Sequence, residues 1–311
     1  RYSNPDWFSS LITLSMKRYK ELESELRPIP GVFFRKKEAR VYPAAEATAH
    51  LTGYIGEVSS QWMEDYSELN YQKGDIVGKS SLERVLERKL RGENGYILYI
   101  EDEEGNKEEL MRKEAVDGEN VNLTIDLELQ QKIYNIIKDK KASVVALNPQ
   151  NSKVLALVNT PSFDPNQFSL GISQVNWEHL KNDKNYPMLN RAIQGLYTPG
   201  SVFKIFTAAA AIDSGIVNSD TKFNDKGNFR IYGNVISNYQ NKVIDEHVFS
   251  KALSESINTT FAKVALKLSK NKFIEYGNKF SFEQKLDFPL EVRKSNIGPI
   301  NNDIELAWTA L

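Results

Sequence analysis

Three serines in this chain stand three residues ahead of a lysine: Ser201 before Lys204, Ser219 before Lys222 and Ser269 before Lys272. On a helix such a pair shares a face, so the amine can reach the hydroxyl. A serine hydroxyl is a weak nucleophile until a base takes its proton. A lysine amine can be that base when burial or neighbouring cations bring its pKa toward neutrality. The quartet alone is weak, because most Ser-x-x-Lys matches are two surface residues. Context separates the three. Tyr197-Thr-Pro-Gly-Ser201-Val-Phe-Lys204-Ile-Phe-Thr-Ala-Ala-Ala-Ala-Ile212 has a Pro-Gly break and then an Ala-rich, helix-compatible run that Gly215 can stop. Ser201 is thus expected at a helix start, where negative charge is favoured. Lys222 leads into Phe223-Asn-Asp-Lys-Gly227, which is turn chemistry, and Ser269-Lys-Asn-Lys272 is a basic run at a helix end.

A second element is Ser254-Glu-Ser256-Ile-Asn258-Thr-Thr-Phe261, with Ser256 lying 55 residues after Ser201. Its hydroxyl could pass a proton toward a leaving group, and the Asn258 amide could hold both the lysine and a substrate carbonyl. The plain alternative is a helix cap, followed by Ala262, Val264, Ala265 and Leu268 packing into a core. Ser219 with Ser269-Lys-Asn271 repeats the combination at nearly the same spacing. The flanking apolar pattern therefore decides, and it favours Ser201 with Ser256 and Asn258.

Composition bounds the rest. With 311 residues, 41% of them hydrophobic, the chain can bury more than one core, and two domains are expected. Lys+Arg 40 against Asp+Glu 41 leaves a net charge of −1, which argues against nucleic acid as the main partner. There is no cysteine, so disulfides, thiolate metal sites and a Cys nucleophile are excluded. His50, His179 and His247 lack metal-ligand spacing, and no zinc site is expected. A Ser-His-Asp triad stays open, since its members meet only in space. No apolar run approaches a membrane span and no signal peptide is visible. The chain opens at Arg1 and stops at Leu311 inside an apparent helix from Asp303, and both ends read as cuts in a longer protein.

The elements that must position these residues follow from pattern. An amphipathic helix is expected over 6–27, stopped by Pro28 and Pro30, then a strand over 32–42 and a short helix over 44–51 closed by Gly53. A helix over 80–90 would place Leu82, Val85, Leu86 and Leu90 on one stripe. Strands over 96–101 and 108–111 flank a Glu104-Gly105-Asn106 turn. The character changes near Gly118: a strand over 121–125, a helix over 127–140 capped by Asp126, then a hairpin of 143–147 with 153–159. The domain boundary is placed at 117.

Pro-Gly-Ser201-x-x-Lys204 followed by Ser256-x-Asn258 resembles the motif set of penicillin-binding proteins and serine β-lactamases. Val41-Tyr-Pro43 with Ala49-His-Leu-Thr-Gly-Tyr-Ile-Gly56 resembles the stalk signature of the class B enzymes. Gly78-Lys-Ser-Ser-Leu-Glu83 is similar to their Gly-x-x-Gly-Leu-Glu segment, with Ser81 where glycine is usual. Leu123-Thr-Ile-Asp126 with Gln130, the hairpin region Val145 to Pro165, and Asn190-Arg-Ala192 resemble the opening of their transpeptidase domain. The likeness runs from about Trp7 onward, and the stalk looks closest to a subgroup that includes β-lactam-tolerant members. One departure matters. Neither Lys-Thr-Gly nor Lys-Ser-Gly, the family's third motif, occurs in the chain, and the family's order would place it after Leu311.

The resemblance implies an α/β (α+β) fold: an elongated non-catalytic stalk over 1–117 and a transpeptidase domain over 118–311. That domain would have a mainly antiparallel sheet flanked by helices and would be incomplete at its C-terminus. It implies a peptidoglycan D,D-transpeptidase acting on stem peptides that end in D-Ala-D-Ala, with β-lactams acylating the same serine. Ser201 would be the nucleophile, Lys204 the base, Ser256 the proton relay and Asn258 a positioning amide. The Ser201 N–H would form half of the oxyanion hole. No metal or organic cofactor is implied. A glycosyltransferase of the cell-wall machinery is the implied partner, at the extracytoplasmic face of a bacterial plasma membrane, with an N-terminal anchor outside this chain. The missing motif supplies a carboxylate-binding wall and an oxyanion donor, so these 311 residues alone are expected to be inactive. Two rivals are a β-lactam sensor, which would carry membrane helices instead of a stalk, and a serine β-lactamase. The latter needs a base to activate water, and sequence does not pick one.

Overall fold

Ser15 sets the first boundary. In the computed structural model, which describes residues 14–36, 38–169 and 171–311, its hydroxyl accepts from the Arg18 N–H and caps helix α1 (Met16–Leu26). The rest of the expected helix, over 6–13, lies outside the described residues. The strand expected over 32–42 is absent among the described residues. Phe33 and Val41 are 73% and 69% exposed, so the apolar pattern there does not face a core. Tyr42 is held by a side chain instead of a ladder: its N–H donates to Asn166 Oδ1 and its carbonyl accepts from Asn166 Nδ2.

Two compact units follow from the packing, one ending at Gln194 and the other running Gly195–Leu311. In the first, a 3₁₀ turn (Ala45–Ala47) leads into α2 (Ala49–Thr52). Strand β1 (Ile55–Glu57) pairs antiparallel with β2 (Ile76–Gly78), with α3 (Ser60–Asp65) between them. Next come α4 (Ser81–Val85) and α5 (Glu87–Leu90). This pair corrects the single helix expected over 80–90. The chain breaks at Leu86, and the buried side chains are Glu83 and Glu87, while Val85 is 51% exposed. Carboxylates can take those places because each has partners: Arg40 and Tyr42 for Glu83, Tyr71 and the Gly78 N–H for Glu87.

The same unit holds the antiparallel ribbon β3 (Tyr96–Glu101) with β4 (Lys107–Lys113). Residues 121–125, expected as a strand, form none; Thr124 Oγ1 donates to the Val154 carbonyl and the Asp126 N–H to that of Leu155. Asp126 then caps α6 (Leu127–Ile137). The hairpin of β5 (Ala142–Leu147) and β6 (Val154–Thr160) follows, with β6 buried over its last five residues. Buried Gln130 locks α6 to β6: its Nε2 donates to the Ala47 and Leu157 carbonyls, and its Oε1 accepts from the Leu157 N–H. Helices α7 (Asn166–Ser169), α8 (Gln174–Asn182) and α9 (Arg191–Gln194) complete the unit.

The second unit holds more helix than strand. A 3₁₀ turn (Gly200–Phe203) runs into α10 (Lys204–Asp213). Then come β7 (Lys222–Asp225), β8 (Asn228–Ile231), β9 (Asn234–Ser237) and β10 (Asp245–Val248). Strand β7 pairs with β10 and β8 with β9, all antiparallel. Helices α11 (Phe249–Ser254), α12 (Asn258–Leu268), α13 (Lys270–Lys279) and α14 (Asp303–Thr309) follow. The core forms around α12. Its Ala265 and Leu268 meet Phe206 and Ala210 of α10, Phe273 of α13 and Leu306 of α14. Its Phe261 and Val264 meet Ala208, Ala211 and Phe249. The alanine run of α10 is what permits the close approach, since small side chains let helix axes draw together. The fold is thus mixed α/β, with two-stranded antiparallel sheets flanked by helices among the described residues.

Candidate active site

Pro199 and Gly200 open the site. Gly200 has φ +58°, a left-handed value that glycine adopts without the side-chain strain of other residues. Ser201 stands at a helix start, as expected, and the helix opens there as a 3₁₀ turn before α10. That geometry helps the pair. A 3₁₀ turn has about three residues, so positions i and i+3 eclipse, and Lys204 falls in line with Ser201. Ser201 is exposed at the surface, whereas Lys204 is 1% exposed.

Around the Lys204 amine four oxygens converge. Nζ lies 3.2 Å from Ser201 Oγ, 3.0 Å from Ser256 Oγ, 2.9 Å from the Ser256 carbonyl and 2.5 Å from Asn258 Oδ1. None of these is charged. An ammonium has three hydrogens, fewer than the oxygens within reach, and the neutral amine carries two hydrogens and one lone pair. The neutral form therefore suits a site where one hydroxyl donates to Nζ. Burial pushes the Lys204 ammonium down to about 8, because desolvation penalises the charged form. The Phe261 ring, 5.6 Å from Nζ, forms part of the floor.

Ser256 reaches the amine with both its hydroxyl and its carbonyl because its backbone is left-handed, at φ +55°. For a non-glycine residue that conformation costs about 1–3 kcal/mol, and such strain clusters at functional sites. Asn258, the first residue of α12, is oriented from both ends: Oδ1 faces Lys204, and Nδ2 donates to the Ser237 carbonyl at 2.9 Å. The second contact fixes which end of the amide meets the lysine. All four residues singled out in the sequence, Ser201, Lys204, Ser256 and Asn258, come together. The other two quartets do not form such pairs. Lys222 meets Glu246 at 3.0 Å and Lys272 meets Glu275 at 3.2 Å, all at exposed positions. His247 is buried against Thr260, and His50 against the Pro187 carbonyl, so neither belongs to this cluster.

What sequence reasoning missed is the support under Asn258. Asp225, 0% exposed, accepts from the Thr259 hydroxyl, the Gly227 N–H, the Asn238 amide and the Ile244 N–H. The Asn-Asp-Lys-Gly run gave a signal for a turn, and Asx-type bonding is common there. Nothing in the run marks the aspartate as fully buried.

Comparisons with known proteins agree with the motifs. Residues 142–310 match the penicillin binding protein transpeptidase domain, and residues 5–123 match the penicillin-binding protein dimerisation domain. Among curated relatives, penicillin-binding protein 3 of Bacillus subtilis is 34% identical over 93% of this chain and 44% of its own length. Peptidoglycan D,D-transpeptidase MrdA of Escherichia coli is 33% identical over 87% of this chain and 44% of its own length. The chain thus spans less than half the length of these relatives. Among solved structures, Pseudomonas aeruginosa PBP2 in complex with WCK 5153 superposes with a TM-score of 0.73 at 28% identity, covering 83% of this chain and 54% of that one. Penicillin-binding protein A of M. tuberculosis, solved as a ceftriaxone acyl-enzyme complex, gives 0.69 at 26% identity, covering 88% and 59%.

Proposed function

We propose that this chain, which belongs to the penicillin-binding protein family of peptidoglycan D,D-transpeptidases, carries the acyl-transfer centre of such an enzyme, with Ser201 as nucleophile. One observation carries the reading: a buried lysine amine, surrounded only by neutral oxygens, lies within hydrogen-bonding distance of an exposed serine hydroxyl. In that setting neutral Lys204 takes the Ser201 proton as Oγ attacks the penultimate carbonyl of a stem peptide ending in D-Ala-D-Ala. The tetrahedral oxyanion is held by the Ser201 N–H, at the start of a helical turn whose first N–H groups lack internal acceptors. Ser256 returns the proton to the departing amine, the C–N bond breaks and D-Ala leaves. Asn258 keeps the lysine and the substrate carbonyl in register. An amine from a neighbouring strand then attacks the ester, giving a cross-link and restoring Ser201.

β-Lactams enter as acyl donors at the same serine, as the ceftriaxone acyl-enzyme of the M. tuberculosis relative supports. A sensor or β-lactamase would leave the match of residues 5–123 to the dimerisation domain without a role. We place the domain boundary at 117, with residues 1–117 as the non-catalytic stalk. A peptidoglycan substrate places the protein at the extracytoplasmic face of the plasma membrane, beside a glycosyltransferase that supplies the strands. No helix among the described residues is long and apolar enough to cross a membrane.

The test is peptide mapping of the intact protein after incubation with a fluorescent penicillin. A single adduct on Ser201, abolished by Ser201→Ala, is expected. An adduct on Ser219 or Ser269 would reject the assignment.

A further inference from the structure

We propose that Asp225 is a positioning residue for acyl transfer at Ser201, its buried carboxylate fixing the two backbone segments that aim the Asn258 amide at Lys204. The inference rests on the function proposed above for Ser201 and Lys204. Asn258 is held at one end by Lys204 and at the other by the Ser237 carbonyl. Both the start of α12 and the end of β9 must therefore stay fixed for the amide to point correctly. Asp225 grips each of them. Its Oδ1 accepts from the Thr259 hydroxyl at 2.5 Å, one residue beyond Asn258. Its Oδ2 accepts from Asn238 Nδ2 at 2.8 Å, one residue beyond Ser237. Asn238 closes the loop, because its Oδ1 accepts from the Thr259 N–H at 3.1 Å.

The remaining two acceptor sites of the carboxylate are filled from the backbone. The Gly227 N–H donates to Oδ1 at 3.1 Å and the Ile244 N–H to Oδ2 at 3.1 Å. The turn that presents the first of these needs glycine. Gly227 has φ +80°, and a Cβ there would lie 2.6 Å from the Asn241 carbonyl oxygen. Four donors thus converge on one carboxylate that is 0% exposed and has no ion-pair partner among the described residues. Dedicating so many donors to one anion without a cation makes its two oxygens rigid reference points. None of the four donors belongs to the reacting quartet, so Asp225 acts through Thr259 and Asn238. Displacing a reacting group by about 1 Å can cost on the order of 10²-fold in rate. The carboxylate is also irreplaceable by its amide. Asparagine offers one acceptor oxygen, and its NH₂ would face donors on the other side.

The experiment uses the intact protein and a fluorescent penicillin. It records the acylation rate per labelled site across the titration of Lys204, together with melting temperature. Asp225→Asn is expected to slow acylation on the order of 10–100-fold while full labelling is still reached. It should also move the midpoint of the rate–pH curve, because the amine has lost its aimed partner. Thr259→Val removes the hydroxyl at nearly constant volume and should shift rate and midpoint in the same direction. Thr259→Ser, which keeps the hydroxyl, should restore both. If Asp225→Asn fails to fold, the Thr259 pair decides. A folded Thr259→Val protein that labels at the parental rate and midpoint overturns the inference alone. A parent protein that does not label at Ser201 overturns the proposed function and this inference with it.

Discussion

Glu83 in the first unit and Lys204 in the second are both nearly dry, at 7% and 1% exposure, and they keep opposite company. Glu83 is answered by charge: Arg40 Nε lies 2.9 Å from one oxygen, a second Arg40 nitrogen 3.0 Å from the other, and the Tyr42 hydroxyl donates at 3.1 Å. Burial and this carboxylate together hold the Tyr42 phenol well above its usual range. Lys204 is answered only by neutral oxygens, and its pKa falls to about 8. Removing one member of a buried, matched ion pair destabilises a fold, because it leaves the other charge uncompensated. A buried amine without a counter-charge is drawn toward neutrality, and a neutral amine beside a hydroxyl is a base. The difference between the regions is thus between a charge that supports and a charge that reacts.

The sharpest way to break that division is Lys204→Ala. A positioned base is worth about 10²–10⁴ in rate, so penicillin acylation should fall by that order. The melting temperature should move far less, because removing the amine also removes the desolvation cost of burying it. Rapid labelling with a collapsed melting temperature would make Lys204 a structural residue like Glu83.

The same contrast explains what could be read from sequence. The quartet at Ser201 was legible because a Pro-Gly break and an alanine run are local signals, and both have direct structural counterparts in the 3₁₀ turn and α10. Ser256 and Asn258 were legible because the apolar pattern that follows them packs as α12. The buried carboxylates were not. Glu83 and Glu87 take the buried places for which the stripe of Leu82, Val85, Leu86 and Leu90 was expected, since burial of an acid depends on partners such as Arg40 and Tyr71 that are distant in sequence. Asp225 was hidden for the same reason, with Thr259 34 residues away. The strands expected over 32–42 and 121–125 are absent among the described residues because an apolar pattern permits a strand without dictating ladder pairing: Thr124 reaches β6 through its hydroxyl, on the Val154 carbonyl.

A smaller effect sharpens the role of the amine. Acylation should rise with pH and level off above about 8, where Lys204 becomes neutral, with roughly a tenfold fall per unit below it. The stability term has its own sign. The folded pKa lies below the ordinary value of 10.5, so between about 8 and 10.5 the unfolded chain binds more protons. Stability contributed through Lys204 therefore rises with pH across that window. Lys204→Ala should lack this slope, and melting curves recorded through the window check it. A parent acylation rate that is flat through pH 8 would mean that some other group removes the Ser201 proton.

Glu83→Gln should have the smallest effect on chemistry, and it tests the other half of the comparison. Glutamine keeps the size of the side chain but offers only one acceptor oxygen, so either Arg40 or the Tyr42 hydroxyl meets an NH₂ group instead of an anion. A partner left unsatisfied near the interior costs about 1–3 kcal/mol, so the melting temperature should fall measurably. None of the Glu83 partners belongs to the Ser201 cluster, whose own bonds are all made within the second unit. The acylation rate per labelled site should therefore equal that of the parent, even where less of the protein is folded enough to label. Counting labelled sites separates the two quantities, because a loss of folded molecules lowers the endpoint and leaves the rate constant alone. A lowered rate constant at full endpoint would show that the Glu83 charge reaches the chemistry, and the division between supporting and reacting charges would then be wrong.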